Sequence, residues 1–255
     1  MVKIVLSFDD GRKDNIRVIQ EILAPLQIPA TINITTQYIE SSNCKVLPCL
    51  NTSMTKQEVV ELSENPLIEI AGHGKEHHNE INNLLEGVTV LREWCHIGDI
   101  GIASPYSGLS LDEINNIRNI ILKNNIKYVR VGDRINNLIF LKKCIRKINT
   151  YIHSKFLYRW IYKDTMLRKE DNFILYSVPV LKSTSLKELK YLISEAVKKN
   201  KSLILMFHSI KKKGEEFYDD RWTWDYDNFC VLCKYLKKLE NIGEIKLTKS
   251  IDLNN

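Results

Sequence analysis

The chain has 255 residues, of which 44% are apolar and 27% are charged, and both values are ordinary for a globular protein. Its formal net charge of +6 comes largely from dispersed lysines, which favours a solvated surface over a concentrated nucleic-acid-binding stripe. No apolar run approaches the roughly 20 residues needed to span a bilayer, and the first residues do not resemble a leader peptide. Six cysteines spread along the chain predict a cytoplasmic protein with reduced thiols rather than a disulfide scaffold.

The predicted elements alternate between strands and helices. A nearly continuous apolar strand at residues 2–8 ends in Asp9 and Asp10, and Gly11 relieves the backbone for the turn. There follow, in chain order, a helix at 14–23, a strand at 30–34, a polar loop at 36–53, a helix at 55–62, a strand at 67–71, a helix at 81–95 and a strand at 100–103. The second half continues with a helix at 110–124, a strand at 127–131, a basic and aromatic stretch at 136–168 without clean periodicity, a strand at 173–180, a helix at 185–199, a strand at 202–207, a helix at 226–239 and a final strand at 244–247.

This alternation predicts an α/β fold with a parallel sheet of about seven or eight strands. The chain contains no long linker, repeat or low-complexity stretch. A single domain over residues 1–255, folded as a closed or nearly closed β/α barrel, therefore accounts for the pattern.

Polar side chains follow four of the predicted strands. They are Asp9 and Asp10, His73, the Ser-Pro-Tyr sequence at 104–106, and His208. Because the carboxyl ends of parallel strands meet at one face of a barrel, we expect these groups to lie together.

A metal site is predicted from His73 and His77, because two histidines four residues apart would lie on one side of a helical turn. His78 is out of phase with His73 and is not chosen as a ligand. Two imidazoles and one carboxylate leave open positions on a zinc-like ion, as catalytic rather than structural sites do. With the second Asp as general base and His208 as general acid, this set supports hydrolysis of an amide or ester.

Four motifs in this sequence resemble those of one known family. They are SFDDG at 7–11, HGKEH at 73–77, SPY at 104–106 and LMFH at 205–208. In this order they resemble motifs of the polysaccharide deacetylases of carbohydrate esterase family 4, from about residue 3 to about residue 250. The resemblance implies a single-domain distorted (β/α)-barrel of about seven parallel strands. It also implies removal of acetyl groups from N-acetylated, or less often O-acetylated, sugars with Zn²⁺ or another divalent metal such as Co²⁺, Ni²⁺ or Mn²⁺.

The resemblance also implies a role for each matching residue. Asp9 matches the catalytic base and His208 the catalytic acid, while the backbone N–H of Tyr106 would help to hold the oxyanion. The residues that match the metal ligands are Asp10, His73 and His77.

Two departures from the family pattern raise further expectations. The third motif usually starts with an Arg that positions the base, whereas this chain has Ala103 there, and we hypothesise that Arg130 on the adjacent strand supplies the cation. The family's acidic–Trp motif is also not visible. Asp225 is a candidate for orienting His208 in its place, and the nearby aromatic residues Trp222, Trp224 and Tyr226 are candidates for stacking on a sugar ring.

The sequence thus favours a metal-dependent deacetylase of an N-acetylated sugar or oligosaccharide, such as one containing N-acetylglucosamine. Neither a nucleic acid nor a membrane span is expected. Two alternatives stay open: a sugar-binding protein that has lost catalysis, and a hydrolase of another small C–N substrate, such as a cyclic ureide, on the same scaffold.

Overall fold

The computed structural model describes residues 1–40, 45–46, 51–132, 139–163, 165 and 171–253. The strands in these ranges are β1 (Val2–Phe8), β2 (Ala30–Ile34), β3 (Lys45–Val46), β4 (Asn51–Thr52), β5 (Ile68–Gly72), β6 (Ile100–Ala103), β7 (Ile126–Gly132), β8 (Ile174–Pro179), β9 (Leu203–Phe207), β10 (Ser209–Lys211), β11 (Thr223–Asp225) and β12 (Ile245–Leu247). The helices are α1 (Asp14–Val18), which continues as a π-helical turn (Ile19–Leu23), α2 (Thr36–Glu40), α3 (Lys56–Ser63), α4 (Ile81–Cys95), α5 (Leu111–Lys123), α6 (Ile139–Ile152), α7 (Lys155–Ile161), α8 (Leu186–Lys199) and α9 (Tyr226–Asn241).

Seven parallel strands form a closed barrel in the order β1-β2-β5-β6-β7-β8-β9. The barrel closes because β1 pairs with β2 on one side and with β9 on the other. The eighth strand, β12, pairs in parallel with the first residues of β1 outside this ring. The predicted barrel of about seven parallel strands is therefore confirmed.

Alternating side chains of β1 separate the two apolar regions of the fold. Ile4, Leu6 and Phe8 belong to the large core between the barrel and its helices, and the Phe8 ring contacts the Phe229 ring of α9 edge-on. Val5 belongs instead to a smaller cluster with Tyr128, Leu175 and Ile204, one residue from each of three other strands. Strands buried on both faces are expected to be apolar almost throughout, which is why the run at 2–8 identifies β1.

A buried polar network joins the C-terminal segment to the end of the barrel opposite the motif residues. Glu69 accepts hydrogen bonds from the Tyr128 hydroxyl at 2.8 Å and from the Ile251 N–H at 3.1 Å. Burial raises the pKa of the Glu69 carboxyl. Gly101 leaves the space that the Tyr128 ring fills, since a Cβ at Gly101 would lie 2.0 Å from the Tyr128 Cζ.

The structure corrects two stretches of the predicted pattern. The loop predicted at 36–53 contains α2 and the strands β3 and β4, although residues 41–44 and 47–50 lie outside the described residues. These elements have two to five residues, which is too short to give a periodic signal. The stretch at 136–168, which received no prediction, contains α6 and α7. None of the helices in the described ranges is both long and apolar enough to cross a bilayer.

Candidate metal and catalytic site

The residues predicted for the site meet at the carboxyl end of the barrel. Asp9 and Asp10 follow β1, His73 follows β5, and His208 follows β9, and all four are at most 8% exposed. Three strands that are distant in sequence thus bring these residues together, because parallel strands all end at the same face.

Asp10, His73 and His77 bring three potential ligand atoms together, although residues 73–77 form an irregular segment and not the predicted helical turn. The Nε2 atoms of the two histidines lie 3.2 Å apart, and each is 3.5 Å from Oδ1 of Asp10. Among the described residues, these three form a group of buried side chains whose potential ligand atoms all lie within 4.8 Å of one another. Oδ1 of Asp10 has no hydrogen-bond partner, although it is buried. A buried carboxylate oxygen normally has a partner, so this arrangement fits a cation.

The backbone carbonyl of Ala103 sets the orientation of the His73 ring. It lies 2.9 Å from Nδ1 of His73, and because a carbonyl can only accept, Nδ1 donates the hydrogen bond. The neutral ring then presents the lone pair of Nε2 towards Asp10, as a metal ligand does. Burial opposes the charged form of His73, but Asp9 and Asp10 raise its pKa above the usual value. Burial lowers the pKa of His77 to about 4, with the neighbouring His73 acting in the same direction.

Arg12 holds the other oxygen of Asp10. Its Nη2 and Nε lie 2.7 and 3.1 Å from Oδ2 of Asp10, and its Nη1 donates to the Ser209 hydroxyl at 3.2 Å. Burial opposes ionisation of Asp10, but Arg12 and His73 hold the pKa of its carboxyl well below the usual value. Our sequence analysis did not select Arg12. Its place directly after the DDG sequence was the available signal, since a guanidinium so close to two carboxylates is expected to pair with one.

Arg130 holds Asp9. Nη2 of Arg130 lies 2.7 Å from both oxygens of Asp9, and its Nη1 donates to the Ser177 hydroxyl at 2.7 Å. Arg130 on β7 is the register partner of Ala103 on β6, so the guanidinium comes from the strand beside the position where the family carries its Arg. Burial opposes the charge of Asp9, but Arg130, His73 and His208 hold the pKa of its carboxyl below the usual value. Asn33, also missed from sequence, donates to Oδ1 of Asp9 at 2.9 Å.

Three of the predicted residues have left-handed backbone conformations. The φ angles are 77° at Asp10, 62° at His77 and 53° at Tyr106. The Tyr106 ring contacts the His77 ring edge-on at a centroid distance of 4.3 Å, and Tyr106 is 72% exposed. Non-glycine residues at positive φ are uncommon and often concentrate at functional sites.

His208 lies against Trp222 at the same end of the barrel, with ring centroids 4.4 Å apart. Its Nδ1 is buried without a hydrogen-bond partner, and burial lowers the pKa of the ring to about 4. Trp224 is buried, at 2% exposure, and is therefore not available to stack on a sugar. Asp225 does not fill the role considered for it. Its carboxylate accepts from the Asn228 N–H at the start of α9 and from the Tyr218 hydroxyl, both at 2.8 Å.

Comparison with known proteins supports the resemblance seen in the motifs. Residues 2–96 match a family model described as polysaccharide deacetylase. The resemblance to the polysaccharide deacetylases is confirmed over that part of the chain. Asp9, Asp10, His73 and His77 lie inside the matched range, whereas Tyr106, Arg130 and His208 lie beyond it. No curated protein gives a significant match to the chain.

Solved structures of polysaccharide deacetylases and related esterases are also similar to this chain. The Xyl-CE4 domain of a multidomain xylanase from the hindgut metagenome of Trinervitermes trinervoides is 15% identical, over 99% of this chain and 89% of that one, with a TM-score of 0.49. A family 4 carbohydrate esterase from Bacillus anthracis is 12% identical, over 98% and 81% of the two chains, with a TM-score of 0.46. A de-N-acetylase from Aggregatibacter actinomycetemcomitans is 16% identical over 51% of this chain, with a TM-score of 0.42, and the match spans 63% of that protein.

Proposed function

We propose that this protein is a metal-dependent deacetylase that removes the acetyl group from an N-acetylated sugar. One observation carries the proposal. The unpartnered Oδ1 of Asp10 lies 3.5 Å from Nε2 of both His73 and His77, in a buried position beside a second, separately paired carboxylate. The match of residues 2–96 to the polysaccharide deacetylases supports the same reaction class.

Asp10, His73 and His77 are the residues that would hold the metal. Two imidazoles and one carboxylate suit Zn²⁺ and related divalent ions and leave coordination positions open. Such an ion polarises a carbonyl and lowers the pKa of water towards neutrality.

Asp9 is proposed as the general base. Nη2 of Arg130 and the side-chain amide of Asn33 fix its carboxylate, and its lowered pKa keeps it ionised and able to accept a proton from water. In this role, Arg130 is a positioning residue that acts through Asp9 from the strand next to Ala103.

His208 and Tyr106 are proposed to act on the substrate itself. His208 would donate a proton to the departing amine, and the backbone N–H of Tyr106 would donate to the carbonyl oxygen. With a pKa of about 4, His208 is neutral in the free protein near neutral pH, so it must take up the proton during the reaction. The exposed Tyr106 ring and the Trp222 ring beside His208 offer faces on which a sugar can stack.

The test is acetate release from N-acetylglucosamine oligomers and nucleotide-linked N-acetyl sugars. The protein is stripped of metal and then assayed with and without added Zn²⁺ or Co²⁺. The variants Asp9→Asn and His73→Ala are compared with two controls at exposed positions, Asp99→Asn directly before β6 and His78→Ala next to His77.

We expect metal-dependent acetate release that both site variants abolish and both controls retain. Removal of a general base alone typically costs a factor of about 10² to 10⁴ in rate. Stoichiometric metal binding without acetate release would shift the assignment to another C–N substrate. The absence of metal binding would contradict the catalytic proposal and favour a sugar-binding protein.

A further inference from the structure

The outward face of α6 is apolar. The exposed side chains along this face are Leu141 (47% exposed), Cys144, Ile148 (53%), Tyr151 (83%) and Ile152 (62%). They recur at helical spacing, so they form one continuous stripe along the helix. Phe156 at the start of α7 is 76% exposed and follows directly in the chain. These six residues are called the apolar stripe below.

The opposite face of α6, which is turned towards the protein, is largely polar, although it also carries Ile145, which packs against the core. Lys142 is 5% exposed and Asn149 is fully buried. Arg146 donates to the buried carboxylate of Glu188 on α8 at 2.9 Å and to the Thr184 hydroxyl at 2.6 Å. A helix on the surface of a globular protein normally has the reverse arrangement, with its apolar face inward.

The ion pair with Glu188 fixes this inverted orientation. Glu188 is fully buried, and Arg146 is its ion-pair partner among the described residues. A rotation of α6 that buried the apolar stripe would break this contact and leave a buried carboxylate uncompensated, which is strongly unfavourable. The apolar stripe therefore remains at the surface.

Positive charge is concentrated in the same segment. Residues 134–163 contain eight Lys and Arg residues and no Asp or Glu, so the remainder of the chain has 29 basic residues against 31 acidic ones. Lys147, Lys155, Arg159 and Lys163 are exposed beside the apolar stripe. The net positive charge of the chain thus arises from this one segment, and not from dispersed lysines as the composition suggested.

We propose that α6 and α7 form a face that binds the surface of an anionic lipid bilayer. An amphipathic helix with exposed apolar and aromatic residues and flanking Lys and Arg is the arrangement that lies in a membrane interface. A second copy of this chain would bring two positively charged faces together, which disfavours self-association. A soluble polyanion would use the charges but leave the apolar stripe in water.

The test is flotation of the full chain with vesicles of phosphatidylcholine alone or phosphatidylcholine mixed with phosphatidylglycerol. Two variant sets are compared with wild type: Ile148→Asn/Ile152→Asn, and Lys147→Gln/Lys155→Gln/Arg159→Gln. Matched controls make the same changes elsewhere, as Ile120→Asn/Leu122→Asn on the exposed side of α5 and Lys123→Gln/Lys234→Gln/Lys246→Gln. Thermal melting confirms that each variant is folded.

We expect the protein to bind the anionic vesicles and not those of phosphatidylcholine alone, with an affinity that falls as salt is added. Each basic residue near an anionic surface strengthens binding roughly fivefold, so the triple Gln variant should bind on the order of 100-fold more weakly. The two-site Asn variant should also bind more weakly, and both controls should bind as wild type does.

A measurement on the unsubstituted protein keeps the proposal testable if a variant does not fold. An environment-sensitive fluorophore on the exposed Cys144 should shift to the blue with anionic vesicles, and the signal should be lost in labelled Cys144→Ser protein. Absence of wild-type binding at low salt would overturn the proposal. A concentration-dependent dimer that Ile148→Asn/Ile152→Asn abolishes would also overturn it. So would a soluble polyanion that binds with the same affinity as the vesicles and whose binding the Asn substitutions do not change.

Discussion

Asp9 and Asp10 are adjacent in sequence, yet each has its own guanidinium partner. Arg130 contacts Asp9, and Arg12 contacts Asp10. Two buried carboxylates so close together would otherwise raise each other's pKa, and one would be protonated. Separate cations allow both to stay ionised, as the proposed roles of metal ligand and general base require.

Arg12 is expected to control metal affinity through Asp10. Without its guanidinium, Oδ2 of Asp10 is released and the carboxylate loses the orientation that turns Oδ1 towards the histidines. We expect Arg12→Gln to weaken Zn²⁺ binding by a factor of about 10 to 100, as substitutions behind a metal ligand commonly do. Competition with a chelating dye measures the Kd, with Arg17→Gln on α1 as control. Tighter Zn²⁺ binding by Arg12→Gln would show that charge repulsion outweighs positioning.

Arg130 is expected to control turnover rather than metal binding, since it contacts Asp9 and not Asp10. Arg130→Lys keeps the buried charge but cannot place one planar group against both oxygens of Asp9. We expect kcat to fall about 100-fold while the Kd for Zn²⁺ changes little. Arg118→Lys, where the guanidinium lies over the Phe173 ring, is the matched control. Unchanged kcat in Arg130→Lys would remove Arg130 from the proposed mechanism.

At the scale of elements, β6 and β7 pack closely against each other inside the barrel. The Tyr128 ring of β7 occupies the space that the absent side chain of Gly101 leaves on β6. Small and large residues on neighbouring strands thus fill the interior at close packing, so an added methyl group lowers the stability of the fold.

Gly101→Ala is therefore expected to destabilise the fold. A Cβ at this position would lie 2.0 Å from Cζ of the Tyr128 ring, so the ring or the strand must move. We expect the free energy of unfolding to fall by at least about 2 kcal/mol in urea denaturation. Gly98→Ala is the control, because nothing lies within 4 Å of its Cβ, and its change should stay within about 0.5 kcal/mol. Equal losses in the two variants would contradict this account of the packing.

At the scale of the whole molecule, the C-terminal segment is tied to the barrel through Glu69. Ser250 N–H donates to the Thr31 hydroxyl at 2.9 Å, and that hydroxyl donates to Glu69 at 2.7 Å. The Thr31 hydroxyl thereby joins the buried Glu69 carboxyl group to a residue 219 positions further along the chain than Thr31. The proton on that group affects the stability of the whole fold.

Glu69 is expected to make stability depend on pH. Burial raises the folded-state pKa of Glu69 above 4.5. Between the unfolded-state and folded-state pKa values, its carboxyl group is therefore protonated in the folded protein and ionised in the unfolded chain. The stabilisation is complete below about pH 4.5 and is lost as pH rises through the folded-state pKa. Urea denaturation across this range should show a steeper fall with pH for wild type than for Glu69→Gln, whose side chain does not titrate. Parallel curves would contradict the assignment.

The sequence by itself determined the barrel and the identity of the residues at its carboxyl end. Strand and helix bounds were close to those observed, because apolar runs and capping boxes such as Thr55–Glu58 are local signals. Asp9, His73 and His208 could be placed together because each directly follows a strand, and parallel strands end at one face.

Only the tertiary structure decided which groups support those residues. Arg130 reaches Asp9 through the register of β6 with β7, and Glu188 turns the polar face of α6 inward against the usual pattern. Contacts between distant parts of a chain depend on strand register and helix rotation. Neither can be read from the periodicity of the sequence, which explains why Asn33 was missed and the outward face of α6 was not foreseen.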